Sequence, residues 1–242
     1  LIIDDGSKDE SINIVRSYTD PRVHLVINEK NMGLFSTLHK GLELAQGKYV
    51  ARMDGDDISL PNRLAVQLEF MAAHPDISVL GTSAKLIDDD GKHMDHTVMF
   101  PGDHGFLQWL LFFKSPLVHP SVMMKKADAL EVGGYCSKLL QGRERFSAED
   151  YDLWRRLSTE KRLHNLQEPL LLLRKHQSNL TQTFADENID NGTIVCQEML
   201  KVQLREIVPL EIVKCLMGGK PASTRDADVT AGLLWRLYKA YV

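Results

Sequence analysis

Leu1-Ile2-Ile3 is an unbroken aliphatic run that stops at Asp4-Asp5-Gly6-Ser7, the pattern of a strand buried on both faces and ending at a loop. No turn or cap precedes it, so the run is expected to be the later half of its strand, with an upstream strand before it. Ile12, Val15 and Tyr18 then share one helical face, with Ser7 or Asp9 as the cap and Asp20-Pro21 beyond the end. Val23 to Ile27 suits a short strand. Leu34, Leu38, Leu42 and Ala45 recur one turn apart in a second helix, opened by Asn31 and Gly33 and stopped by Gly47. Lys48 to Met53 reads as a third strand. Strand, helix, strand, helix, strand with short connections predicts a parallel sheet with right-handed crossovers. Function in such sheets collects at the carboxyl ends of the strands, where this chain delivers Asp4-Asp5 and then Asp54-Gly55-Asp56-Asp57.

Pro61 suits the first turn of a helix whose apolar positions Leu64, Leu68 and Met71 fall at helical spacing before His74-Pro75. Ile77 to Ile87 is apolar and extended, and Asp88 to Lys92 forms a hairpin-type turn. The α/β first half thus passes into a mixed second half. Phe106 to Phe113 predicts a short helix, Ser121 to Met124 a strand and Gly133-Gly134 a sharp turn. Asp150 to Leu157 predicts a helix with Leu153, Trp154 and Leu157 inward, and Leu170 to Arg174 a buried strand. Beyond residue 185 the pattern is helical, and Gly218 to Pro221 interrupts it before an amphipathic stretch from Val229 to Tyr241. The division is therefore an α/β domain over residues 1–184 and a helical segment over 185–242.

Composition narrows the chemistry. With 29 Lys and Arg against 33 Asp and Glu in 242 residues, no basic excess neutralises a phosphate backbone, which argues against nucleic acid as partner. Cys136, Cys196 and Cys215 are odd in number and contain no CxxC pair, so neither a disulfide framework nor a zinc cluster is implied, and a reducing, cytoplasmic compartment fits. No apolar run approaches the roughly 20 residues that cross a bilayer.

Asp54, Asp56 and Asp57 crowd one loop after a strand, where their repulsion calls for a cation. Hard oxygen donors select magnesium or manganese over zinc, and such ions keep part of their shell for substrate phosphates. A bare Asp-x-Asp is also a common solvated turn, and its position after a strand is what raises its weight. Asp4 and Asp5 suit hydrogen bonds to a base or ribose, or merely the capping of the next helix. Glu149 and Asp150 stand at a helix start, where acidic residues are favoured by the helix dipole as well as suited to a general base. A lone histidine such as His119 is more often a satisfied structural residue than a ligand.

Together these residues resemble glycosyltransferase family 2, inverting enzymes of the GT-A fold, in which a Rossmann-like nucleotide-binding sheet joins a mixed acceptor-side region. LIIDDGSKDES (1–11) is similar to the family's second strand and its nucleoside-binding turn. NEKNMGLFSTLHKGLELAQGKYVARMDGDDISLPNRLAVQLEFM (28–71) is similar to the Asn-x-Gly helix and the strand entering the metal-binding Asp-x-Asp. FSAEDYDLWRRL (146–157) resembles the Glu-Asp segment that carries the catalytic base, and LLLLRKHQSNLTQ (170–182) the Tyr-Arg-x-His region, with Leu173 where Tyr is common. The resemblance implies Asp150 as base, and Asp4, Asp5 and Asp54 as nucleotide-binding residues. It further implies Asp56, Asp54 and His176 around Mn2+ or Mg2+, and Glu149 and His119 on the acceptor side. It implies a nucleotide-sugar donor, UDP-linked by preference, a saccharide or lipid-linked acceptor, and a place at the inner face of a membrane in bacterial surface polysaccharide synthesis. The Gln-x-x-Arg-Trp signature of processive synthases is absent, which favours single-sugar transfer. A sugar-phosphate nucleotidyltransferase shares strand-end acids but should show a glycine-rich phosphate loop, and a catalytically silent binding module remains the other alternative.

Overall fold

The structure is a computed structural model; it describes residues 1–135, 139, 148–176 and 185–241, with the side chains of 185–188 left aside. Cys136, the Phe146-Ser147 entry to the Glu149-Asp150 segment and residues 177–182 of the motif after His176 lie outside the described residues. The elements in chain order are β1 (Ile2–Asp4), α1 (Ser11–Ser17), β2 (Leu25–Ile27), α2 (Leu34–Leu44), β3 (Tyr49–Ala51), β4 (Ile58–Ser59), α3 (Arg63–Ala73) and β5 (Ile77–Ile87). There follow β6 (His93–Val98), α4 (His104–Leu110), a single 3-10 turn His119–Ser121, β7 (Met123–Lys125), α5 (Lys126–Glu131), α6 (Glu149–Leu157) and β8 (Arg162–Arg174). The helical segment comprises α7 (Ala185–Leu204), α8 (Leu210–Leu216) and α9 (Thr224–Tyr241).

β1 and β2 pair in parallel, Ile2 opposite Leu25, as the strand-helix-strand order predicts, but the burial expected of the aliphatic run is not found, since Leu1 and Ile2 are exposed and Ile3 is half-buried. The third strand departs from expectation. β3 is not hydrogen-bonded to that pair but runs antiparallel to β7, in a six-stranded sheet of order β3-β7-β5-β8-β4 with β6 on the far part of β5. Three residues, two half-buried and one exposed, leave partner choice to the long-range pairing with Met123 and Met124, which a local pattern does not encode. The centre of the sheet is the parallel pair β5–β8, and β5 is buried at every position but Lys85. Asp88 to Gly91 closes the β5–β6 hairpin, with Gly91 at φ +81, a left-handed turn position that glycine fills without strain.

α1 buries no residue, and Tyr18 lies beyond its end and exposed, so only Ile12 and Val15 of the predicted face are half-covered. Asp9 does accept the Ser11 amide at 3.1 Å at its start. α3 turns differently from its apolar pattern: Leu64 and Leu68 are exposed, whereas Arg63, Gln67 and Met71 are buried. The reason is polar. Arg63 Nη2 donates to the carbonyls of Arg52 and Val122, and Gln67 Nε2 to those of Leu80 and Ser121, so the two buried side chains spend their donors on backbone carbonyls of β5 and of the segments flanking β3 and β7.

The main core gathers Leu42, Val79, Leu111, Met124, Leu153 and Trp154 between the sheet and α2, α4 and α6. A second core of Leu200, Ile212, Leu233 and Leu237 lies among α7, α8 and α9, and Met199 and Met217 pack against both. Trp154 is fully buried in the first, as its spacing with Leu157 predicts. Among the described residues no helix is long and apolar enough to cross a membrane.

Candidate active site

β3 runs out at Ala51, and the chain turns through Arg52 to Asp57 before β4. This turn brings one carboxylate oxygen from each of Asp54, Asp56 and Asp57 within 4.8 Å of one another. Crowded anions need compensation, and part of it comes from the protein. Arg52 Nη1 and Nη2 hold the two Asp54 oxygens at 2.8 and 2.5 Å in a fork, and His176 Nε2 lies 2.9 Å from Asp56 Oδ2. Asp57 is anchored differently: the Arg174 amide donates to its Oδ1 at 2.8 Å, while its buried Oδ2 has no hydrogen-bond partner among the described residues. Burial, reinforced by the charges of Asp54 and Asp56, lifts the Asp57 carboxyl to about 6. Burial also raises Asp54, against the pull of Arg52.

Arg174 ties the turn to the end of β8. Its Nε donates to the Asp56 carbonyl and its Nη1 to those of Asp88 and Asp89, each at 2.8 Å, so the acidic turn, the β5–β6 hairpin and the end of β8, two residues before His176, are fixed as one piece. Three hard carboxylates, one with a buried oxygen that has no partner among the described residues, make a donor set suited to Mg2+ or Mn2+.

Glu149 and Asp150 open α6, Glu149 buried and Asp150 half-buried. Ser115 Oγ donates to Asp150 Oδ2 at 2.9 Å. Burial and the neighbouring Asp150 charge lift Glu149 to about 8; burial raises Asp150 as well, against hydrogen bonds from Ser115 and the Tyr151 amide. Two adjacent carboxyls do not both ionise readily, and the hydrogen bonds favour the charge on Asp150 and the proton on Glu149. His119 Nδ1 lies 4.0 Å from Glu149 Oε1, and its Nε2 meets the Tyr135 hydroxyl at 2.8 Å. Burial and the Arg52 charge hold His119 well below its ordinary value, so it is neutral.

The two acidic groups share electrostatic neighbours. The Tyr135 hydroxyl, pushed up mainly by burial, feels Arg52, Glu149, Asp150 and Asp54 together, and Glu149 feels both Arg52 and Asp54. Arg52, forked onto Asp54, thus also acts on the charge of Glu149 and Asp150.

Asp4 and Asp5 occupy a different niche. Asp4 Oδ2 accepts the amides of Gly6 and Ser7 at 3.0 and 3.2 Å. Asp5 takes Asn28 Nδ2 and the amides of Met32 and Gly33 at 2.8 to 2.9 Å, which binds the end of β1 to the loop opening α2. Among the described residues no hydrogen bond joins either to the Asp54 turn. Sequence reasoning passed over Arg52 and Ser115. A lone charged residue at the end of a short strand, two places before an Asp-x-Asp, was the available signal for Arg52, whereas Ser115 is brought to Asp150 by tertiary packing alone.

The Glycosyl transferase family 2 profile matches residues 1–133. The O-antigen biosynthesis glycosyltransferase WbnJ of Escherichia coli is 32% identical over 205 residues, 83% of this chain and 76% of that one. The UDP-Gal:alpha-D-GlcNAc-diphosphoundecaprenol beta-1,3-galactosyltransferase of the same species is 31% identical over 158 residues, 64% of this chain and 54% of that one. Among solved structures, Staphylococcus aureus TarS superposes with a TM-score of 0.60 at 16% identity, covering 89% of this chain and 36% of that chain. The last likeness supports the GT-A fold.

Proposed function

The chain belongs to glycosyltransferase family 2, and from that premise we propose that it moves a single sugar from a nucleotide-diphosphate donor to an acceptor hydroxyl with inversion at the anomeric carbon. The observation that carries the proposal is the cluster of Asp54, Asp56 and Asp57 at the end of β3, with Arg52 forked onto Asp54 and acting also on the charge of Glu149 and Asp150. In this reading Asp54, Asp56 and Asp57, with His176 beside them, hold Mn2+ or Mg2+. Bound there, the ion supplies charge neutralisation for a leaving diphosphate. Asp4 and Asp5 serve the nucleoside end by shaping the turn and the loop at the carboxyl ends of β1 and β2.

Asp150 acts as base. It takes the proton of the acceptor hydroxyl as that oxygen bonds to the anomeric carbon from the face opposite the diphosphate, whose oxygen departs with the electron pair of the breaking bond. Ser115 orients the carboxylate. Glu149 holds a proton at neutral pH and so leaves the charge to its neighbour, while His119 and Tyr135 line the acceptor side. The names of the two E. coli relatives favour surface polysaccharide synthesis, a UDP-linked donor and a lipid-linked acceptor presented at the inner face of a membrane.

The Asp150→Asn variant tests the assignment. Calorimetry with UDP and manganese should find donor-side affinity within about twofold of the parent, while transfer falls at least about 100-fold, the usual reach of a general base. Transfer at the parent rate in that variant removes Asp150 from the role.

A further inference from the structure

Three arginines bear on the acidic turn, and they are used differently. Arg63 Nη2 and Arg174 Nε and Nη1 donate to backbone carbonyls, which organises the chain around the turn. Arg52 instead puts its guanidinium on a carboxylate, and both Asp54 oxygens are taken by its Nη1 and Nη2 fork. The backbone of Arg52 is clamped from both sides: its amide donates to the Val122 carbonyl at 3.0 Å, and its carbonyl accepts Arg63 Nη2 at 2.7 Å. The residue is 8% exposed, so salt screens its charge poorly. The fork does not use every donor. Arg52 Nε is buried and, like Asp57 Oδ2, has no hydrogen-bond partner among the described residues. The turn therefore keeps an orphaned donor beside an orphaned acceptor. A lone cation or a lone anion can satisfy one of them, whereas a cation carrying an anion can satisfy both.

Charge leads to the same place. An ion that bonds Asp54 in the free protein must share that carboxylate with a guanidinium already forked onto it, and two poorly screened like charges on one carboxylate repel. A diphosphate removes the conflict, because its oxygens accept from the guanidinium and also complete the shell of the ion. We propose that Arg52 holds the cation's place in the free protein, so that a divalent ion binds the turn firmly only together with a diphosphate. The inference rests on the metal and diphosphate reading above and adds regulation to it. Ion and nucleotide are retained as one unit, and neither is held well without the other. By linkage, the factor by which the nucleotide tightens the ion equals the factor by which the ion tightens the nucleotide. Arg52 sets that factor by occupying Asp54 until the diphosphate arrives.

The experiment is titration of Mn2+ into the whole chain, with and without saturating UDP, read by the electron paramagnetic resonance of the unbound ion, which requires no sugar transfer. UDP should tighten Mn2+ binding to the parent at least about tenfold. Arg52→Met keeps the length and removes the charge; without UDP it should bind Mn2+ at least about tenfold more tightly than the parent, and UDP should then add less than about threefold. Arg52→Lys keeps the charge, and without UDP its Mn2+ affinity should stay within about threefold of the parent's. Adding Asp56→Asn to Arg52→Met should remove the gain, which locates the ion at the turn. No gain in Arg52→Met overturns the proposal, and so does an equal gain in Arg52→Lys, since a loosened turn rather than a lost charge would then be the cause. Should Arg52→Met fail to fold by far-UV circular dichroism, the parent decides, and tightening by UDP of less than about twofold overturns the proposal. Mn2+ bound equally by every chain, with or without UDP, removes the role of Arg52 and leaves the metal reading intact. No Mn2+ binding by any chain in either condition overturns both.

Discussion

Glu149 shows how burial sets the chemistry of a single residue. Its carboxyl, at about 8, binds a proton more tightly in the fold than in the unfolded chain. The stability it contributes is therefore full below the ordinary carboxylate range and is lost as pH rises through about 8. Glu149→Gln keeps the shape and removes the titration, so urea midpoints measured from about pH 6 to about pH 9 should fall less steeply in the variant than in the parent. Parallel curves would show that Glu149 does not hold the proton. Asp57, at about 6 and with its Oδ2 unpartnered among the described residues, follows the same sign at lower pH. A divalent ion at the turn requires Asp57 ionised, so stabilisation by manganese should fade as pH drops below about 6 and persist at neutrality. A melting-temperature increase of equal size at pH 5 and pH 7.5 contradicts this. The sequence already showed the three carboxylates, because they are contiguous; it did not show that Arg52 forks onto one of them or that Asp57 faces inward, because both facts follow from where β3, α3 and β8 meet.

At the scale of elements, α3 departs most from its own pattern. Three apolar residues at helical spacing predict a buried stripe through Leu64 and Leu68, yet the buried line is Arg63, Gln67 and Met71. The carbonyls of Arg52, Leu80, Ser121 and Val122 take long donors from this helix, and those bonds outweigh burying two leucines. Arg63→Ala should then cost about 2–4 kcal/mol, the range for uncovering buried acceptors and removing a buried cation's bonds. Thermal or urea unfolding checks it, and a loss under about 0.5 kcal/mol would contradict the network's role. The β5–β6 hairpin, α2 and α6 were legible from periodicity and turn residues. The pairing of β3 with β7 and the first half of β8 were not, since Arg162 to Glu168 carries polar residues whose partners, such as Pro101 and Pro116 for Asn165, are far away in sequence.

For the whole molecule, the question is whether an acidic turn after β3 and the start of α6, nearly 100 residues apart in the chain, form one site. Order and spacing of motifs suggested it. In the proposed reading they do, on two supports: Arg52, hydrogen-bonded to Asp54, also acts on the charge of Glu149, and Arg174 ties the turn to the end of β8, two residues before His176. The most direct measurement is anomalous diffraction from crystals soaked with manganese and UDP. One manganese peak should lie within bonding distance of Asp56 and its neighbours in the turn, with the diphosphate between that ion and the Asp150 carboxylate. A peak elsewhere, or a diphosphate directed away from Asp150, would contradict the account.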